Sequence, residues 1–288
     1  MPEELTACLL CGCRQLRRDA FAAWQLSLSD CHGVTLCKKC GFRFLNPRPS
    51  RTEYEQMYAD GSGPLAAAYP RANSFYAQED ALRHREHLVK LKLLARAGAG
   101  TRLLEIGACT GVFLHEAKQH GFEVEGIEPS EENRRAARDR YGLTLRGGSV
   151  EDHDFKPESF DVVFGSHVFE HLLDPLAVAG AIHGWLRPGG VLLIEVPNQF
   201  DSFSARRKRW LHRVRPRNPS FLSVHHPVFF SCRTLRELAN RSGFGRHRLR
   251  NVYYSSGSLW RHPFQAAARV MAAVSGGGGV IELAAEKV

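Results

Sequence analysis

Six of the eight cysteines lie in the first forty residues, and Cys8, Cys11, Cys37 and Cys40 form two CxxC pairs, each followed by a glycine, Gly12 or Gly41. Two such turns can aim four thiolates at one tetrahedral ion, the pattern of a structural Zn²⁺ site, and so short a segment has little core of its own without a metal. Cys13, Cys31 and His32 read as spare residues beside it. A second group is imidazole. His167 and His171 flank Glu170 in SHVFEHLLDP, and His225 and His226 stand together in VHHPVFFS. Histidine titrates near neutrality, so these four are candidate general bases. A third group is the turn Glu105, Ile106, Gly107, Ala108, Cys109, Thr110, Gly111, followed downstream by the acids Glu128, Glu151 and Asp152.

The elements that must position these groups follow from periodicity. Leu103, Leu104 and Ile106 predict a short buried strand, and Gly107 and Gly111 lie where the backbone turns sharply and a ligand can approach without a Cβ in the way. Phe113, Leu114 and Ala117 recur at helical spacing, Gly121 ends that helix, and 122–127 alternates into a second strand. Glu128 then stands at the carboxyl end of the second strand, where Rossmann-like sheets place the acid that accepts the ribose hydroxyls of an adenosine. Further strands are expected at 143–145, 160–164, 191–196, 247–254 and 280–285, with helices at 131–140, 175–186 and 234–241. That alternation predicts a parallel sheet covered on both faces.

The turn spacing, E-x-G-x-x-x-G, resembles the ExGxGxG turn of class I S-adenosylmethionine (SAM) methyltransferases, with Cys109 in place of the middle glycine. The resemblance continues through GGSVEDHDF, FDVVFGSHVFEHLLDP, LRPGGVLLIEVPN and GGGGVIELAAEKV. Together with the amino-terminal cysteines it is similar to the branch that carries a zinc ribbon, some of whose members methylate sugars or natural-product intermediates. The resemblance implies a seven-stranded Rossmann-like α/β sheet with its last strand inserted antiparallel, a zinc ribbon over 1–46, a linker and lid helix over 47–98, and a methyltransferase domain over 99–288. It implies that Glu105, Gly107 and Gly111 border the methionine part of SAM and that Glu128 holds the ribose. Glu151 and Asp152 would face the adenine, and Ser166 and His167 the methionine end and the substrate. VHHPVFFS resembles the HEHLSYFS stretch of zinc-ribbon sugar C-methyltransferases, which puts His226 on the position of that family's base. Val224 and His225 replace the first His and the Glu of that pattern, and the larger carboxyl-terminal domain of those enzymes has no counterpart in these residues. His171 is the alternative base.

Thirty-nine basic against thirty acidic residues give a net charge of +9, which favours anionic partners or substrates and leaves their class open. Arg206, Arg207, Lys208, Arg209, Arg213, Arg215 and Arg217 surround Trp210, a pattern that would also suit RNA. A nucleotide-linked sugar needs only a few of these cations, so nucleic acid is the second expectation. A catalytically silent scaffold is the third. Tyr54, Tyr58, Tyr69 and Tyr76 are candidate lid aromatics ahead of an amphipathic helix over 75–97 with Leu82, Leu88, Leu91 and Leu94 among its buried positions. No apolar run is long enough to span a bilayer, and the first ten residues lack a basic leader region, so a cytoplasmic protein is expected.

Overall fold

The computed structural model describes residues 3–25, 33–60, 90–91, 100–202, 205–207, 209–210, 225–252 and 279–288. Within the amino-terminal part, β1 (Leu16–Arg18), α1 (Ala20–Gln25), β2 (Val34–Cys37) and β3 (Arg43–Leu45) are followed by α2 (Arg51–Asp60). The central part then runs β4 (Arg102–Ile106), α3 (Val112–Gln119), β5 (Glu123–Ile127), α4 (Glu131–Tyr141), β6 (Phe160–Ser166), α5 (Pro175–Trp185) and β7 (Leu186–Pro197). It closes with β8 (Val228–Phe229), α6 (Cys232–Arg241), β9 (Arg246–Val252) and β10 (Val280–Glu286).

The main sheet has the order β5-β4-β6-β7-β10-β9, with β5, β4, β6 and β7 parallel and β10 antiparallel to both neighbours. The expected insertion of the last strand is therefore present. Among the described residues the sheet has six strands. Residues 143–145 form no strand; Arg146 alone bridges Ile127, exchanging backbone bonds of 2.8 and 2.9 Å with Gly126 and Glu128. Leu143 and Leu145 are nonetheless buried in the layer that holds Phe113, Leu114 and Ala137.

Alternation along the strands separates two apolar layers. Leu104, Ile106, Val163, Leu192, Ile194, Val196, Ile281 and Leu283 face α5 and α6, while Leu103, Val162, Phe164 and Leu193 face α3 and Leu91. Leu91 and Lys90 are the described residues of the expected 75–97 helix, and Leu91 is buried as the periodicity requires. Leu82, Leu88, Leu94, Tyr69 and Tyr76 lie outside the described residues, as does the side chain of Tyr58. Tyr54 packs with Met57 and Leu173.

The second sheet joins segments far apart in the sequence. Its order is β1-β2-β3-β8, so a strand from 228–229 completes the cysteine-bearing module assigned to 1–46. Leu45 donates to the Pro227 carbonyl at 2.8 Å, Arg233 donates to the Lys39 carbonyl at 3.0 Å, and the Phe42 and Phe230 rings lie 5.3 Å apart. Phe230 and Ser231 thus have separate local jobs. The phenyl ring anchors the module, and Ser231 caps α6 in a reciprocal box with Thr234. The expected connector after residue 46 is also tied down, because Arg48 is buried and donates to the Leu173 carbonyl at 2.6 Å.

Candidate functional site

The carboxyl ends of β4, β5 and β6 gather most of the residues singled out from the sequence. After β4 the chain turns through three left-handed residues, Gly107 at φ 68°, Cys109 at φ 48° and Gly111 at φ 78°. A Cβ on Gly107 would sit 2.5 Å from Val168 Cγ2, so this turn presses directly on the segment that follows β6. Cys109 occupies the middle-glycine position and keeps the backbone a glycine would adopt, although left-handed geometry is disfavoured for a residue with a side chain. Its N–H donates to Glu128 Oε2 at 2.9 Å, while Glu128 Oε1 accepts from Ser130 N–H at 2.9 Å and from the Asn133 amide at 3.3 Å. Burial raises the Glu128 pKa above its ordinary value, against the lowering effect of these bonds and of Arg134.

The remaining expected contacts divide. Glu105 is buried beside this turn. Ser166 donates its hydroxyl to Glu195 Oε2 at 2.7 Å. Glu151 is occupied internally, accepting from Leu173 and Asp174 N–H at 3.0 Å each, and Asp152 is exposed and ion-paired with Arg51 of α2. Each acid thus has one carboxylate oxygen engaged within the protein.

The histidines converge. His167, itself at φ 56°, places Nδ1 3.2 Å from Glu170 Oε1, and His171 donates from Nδ1 to the His225 carbonyl at 3.0 Å. His226 Nδ1 lies 2.6 Å from the Gln199 amide, and the His171, His225 and His226 rings pack within 5.3 Å of one another, centroid to centroid. Burial lowers all three pKa values, His225 to about 3, and neighbouring imidazoles push His225 and His226 further down. Three uncharged rings in one cluster can accept protons, and their nitrogens, within 4.8 Å of one another, could also approach a cation.

The four thiols form the other cluster, with all Sγ atoms within 4.8 Å and the Cys8–Cys40 and Cys11–Cys37 pairs each 3.6 Å apart. A tetrahedron with Zn–S of roughly 2.3 Å has edges of about 3.8 Å, so the donor set fits Zn²⁺. The neighbouring Cys8 thiol and burial push Cys40 far above the usual thiol range, and burial raises Cys37. Cys13 accepts from Gln15 N–H and Cys232 from Asn251, outside that set, while Cys31 and His32 lie outside the described residues.

Sequence reasoning missed a buried charged group on the α3 face. Lys90 Nζ lies 2.6 Å from Glu195 Oε2, and Glu282 stands opposite Glu195 across the β10–β7 ladder. The signal was legible: a glutamate inside each of LLIEVP and VIEL demands a buried partner. Gln199, just beyond β7, was missed for lack of any such signal.

Comparison with known proteins agrees with this architecture. A family model described as a methyltransferase domain matches residues 79–247, more than half of the chain. A ubiquinone biosynthesis O-methyltransferase of Ruegeria pomeroyi is 36% identical over 109 residues, covering 36% of this chain and 44% of that protein. A probable S-adenosylmethionine-dependent methyltransferase of Mycolicibacterium smegmatis is 29% identical over 174 residues, covering 60% of this chain and 63% of that protein. The chain thus spans less than two thirds of the length of these curated relatives. Among solved structures, a SAM-dependent methyltransferase from Thermotoga maritima, described as a possible histamine N-methyltransferase, superposes with a TM-score of 0.54 at 22% identity, covering 77% of this chain and 99% of that one. With the glycine turn, the acid at the end of β5 and the antiparallel last strand all on one Rossmann-like sheet, the chain belongs to the methyltransferase-domain family of SAM-dependent enzymes.

Proposed function

We propose that this chain methylates a small molecule, sugar-derived (including nucleotide-linked) or a natural-product intermediate, using SAM, and that its four amino-terminal cysteines hold a structural Zn²⁺. The observation that carries the reading is the bond from Cys109 N–H to Glu128 at 2.9 Å, which couples the glycine turn to the acid at the end of β5. Bound SAM supplies an electrophilic methyl group on a cationic sulfur. Gly107 and Gly111 leave room for it, Glu105 is an electrostatically compatible neighbour, and Glu128 accepts from the ribose. Alignment then does most of the work of an in-line displacement, with a base needed where the acceptor is a hydroxyl or a carbon acid.

His226 is the proposed base and His171 the alternative. His167 and Ser166 stand at the end of β6, toward the methionine and acceptor side, and His225 contributes its carbonyl to His171. The net charge of +9 supports an anionic acceptor. Relatives named as ubiquinone biosynthesis O-methyltransferases support a small-molecule acceptor rather than a polymer. A second reading, RNA as the ligand, is favoured by Trp210, 62% exposed beside exposed Arg206 and Arg207. It is weakened by Arg209, which lies over the Phe21 ring of α1 at 5.1 Å and so serves packing; Lys208, Arg213, Arg215 and Arg217 lie outside the described residues. No helix among the described residues is long and apolar enough to cross a membrane.

Calorimetric titration with SAM tests the first step, and absence of binding overturns the proposal. Release of S-adenosylhomocysteine across a panel of nucleotide sugars and phenolic acceptors tests the second. On the acceptor so found, His226→Ala should lower turnover roughly 10²–10⁴-fold with SAM affinity nearly unchanged. A larger loss in His171→Ala would move the base to the SHVFEH segment. Salt-sensitive binding of generic RNA together with silence on every small molecule would favour the second reading.

A further inference from the structure

We infer that the cysteine-bearing sheet is a positioning device for the imidazole cluster: Zn²⁺ binding at Cys8, Cys11, Cys37 and Cys40 and the placement of His225 and His226 form one coupled equilibrium. The inference rests on the reading of these cysteines as a Zn²⁺ site and of His226 as base, and adds the path that joins them.

The path is short. Cys37 ends β2 and Cys40 lies in the turn to β3, where Cys37 N–H donates to the Phe42 carbonyl at 2.9 Å and Gly41 N–H donates to the Cys37 carbonyl at 3.0 Å. Strands β1, β2 and β3 have three, four and three residues, so few that a sheet of them needs a staple, which an ion bound at the turn supplies. On β3 rests β8, through the pairs Arg43–Phe229 and Phe44–Val228, and among the described residues β3 is the one strand paired with it. Leu45 N–H extends this ladder by donating to the carbonyl of Pro227, next to His226, at 2.8 Å. Two further contacts reach the turn itself. Arg233 donates to the carbonyl of Lys39, between Cys37 and Cys40, at 3.0 Å, and the Phe42 and Phe230 rings lie 5.3 Å apart.

The same sheet grips the second histidine segment. Phe169, in SHVFEHLLDP with His171, is fully buried in the cluster that also holds Cys8, Cys37, Cys40, Phe42 and Phe230. Arg48, just past β3, donates to the Leu173 carbonyl at 2.6 Å on the far side of His171. His171 Nδ1 then donates to the His225 carbonyl at 3.0 Å, so the two histidine segments are tied to each other as well as to the ribbon. The cofactor side is supported differently. Glu128 is bound by Cys109, Ser130 and Asn133, all within the main sheet and its loops. Loss of the ion should therefore loosen the acceptor side and spare the cofactor side. Linkage makes the effect reciprocal: if Zn²⁺ favours docking of β8 on β3, docking favours Zn²⁺ by the same factor.

The test needs no knowledge of the acceptor. Hydrogen exchange of the full chain is read peptide by peptide before and after a chelator removes Zn²⁺. The expected result is loss of amide protection over 225–231, with protection along β4 and β6 and the Kd for SAM unchanged. The reciprocal measurement is Zn²⁺ affinity, by competition with a chromophoric chelator. Phe230→Ala should weaken it by roughly 5- to 150-fold, the usual span of coupling between sites, and Arg233→Ala, at an exposed position, by less. On an identified acceptor, the zinc-free chain should lose kcat while KM for SAM stays unchanged. A zinc-loaded chain whose 225–231 amides are indifferent to removal of the ion overturns the inference, as does unchanged Zn²⁺ affinity in both variants. Loss of protection throughout the main sheet also overturns it, by making the ion a general requirement of the fold. The wild-type exchange pattern decides even where a variant fails to fold. A chain that takes up no Zn²⁺ defeats the metal reading and the coupling with it, whereas coupling alongside full activity in His226→Ala defeats the base assignment alone.

Discussion

Replacing Glu128 with alanine strips the acceptor from three donors at once: Cys109 N–H and Ser130 N–H at 2.9 Å and the Asn133 amide at 3.3 Å. The first bond joins the glycine turn to the end of β5, and the other two hold the start of α4. The Glu128 side chain is part of a residue only 5% exposed, so an alanine leaves two backbone donors in a small, poorly hydrated space. A buried donor without a partner costs about 1–3 kcal/mol, giving roughly 2–6 kcal/mol for the pair. Burial holds the Glu128 pKa above its ordinary value, so removing the carboxylate also relieves a desolvation penalty and brings the expected loss to the lower part of that range, about 2–3 kcal/mol. At about 2–4 °C per kcal/mol for a chain of this order of size, melting should fall by roughly 5–10 °C. SAM affinity should fall separately. One lost charge-assisted bond of about 1.5–3 kcal/mol corresponds to roughly 10- to 100-fold in Kd. Glu128→Gln separates the two effects, because it keeps the side-chain volume and one acceptor oxygen. It should recover much of the melting loss and little of the affinity. Differential scanning calorimetry and titration with SAM read both. An alanine variant that melts like the wild type and binds SAM with an unchanged Kd would refute the assignment of Glu128 as both tie and ligand.

Three further outcomes follow from the same contacts. One Zn²⁺ per chain is expected by elemental analysis, lost when Cys37 and Cys40 are both replaced by serine; a stoichiometry of two would point to the His171, His225 and His226 cluster as a second site. Lys90→Met leaves Glu195 buried beside Glu282 without its cation and should cost about 3–5 kcal/mol in denaturant unfolding, whereas an unchanged midpoint would show that the pair is dispensable. Stability should fall as pH drops below about 6.5, because His171, His225 and His226 have lowered pKa values in the folded state and the unfolded chain binds protons first. The contribution is complete above pH 6.5 and declines toward the His225 value of about 3, each ring adding up to about 1.4 kcal/mol per pH unit; a flat unfolding free energy between pH 7 and 5 would contradict it.

Much of this architecture was legible in local pattern. Alternation and helical spacing identify β4, α3 and β5, and a glycine turn followed by an acid at a strand end locates Glu128, because these signals come from residues adjacent along the chain. The CxxC spacing likewise brings each pair of thiols together within one turn. What local pattern could not supply is long-range pairing. That residues 228–229 complete the cysteine-bearing sheet depends on a ladder between segments separated by most of the chain, and nothing in a two-residue strand announces its partner. Residues 143–145 likewise keep the alternating burial of a strand but form no ladder, because a ladder needs a partner segment that local pattern does not specify. The occupancy of a carboxylate is also a tertiary matter. Sequence places Glu151 after a strand, but only the fold sets its Oε1 to accept from Leu173 and Asp174 N–H. Gln199 lies in a stretch with no chemical signature at all, and only the folding of β7 against the segment before β8 sets its amide against the His226 ring. Sequence by itself determined which backbone turns and donor sets were possible, because those depend on neighbouring residues; tertiary structure decided which side chains share a hydrogen bond, because that depends on where distant strands meet.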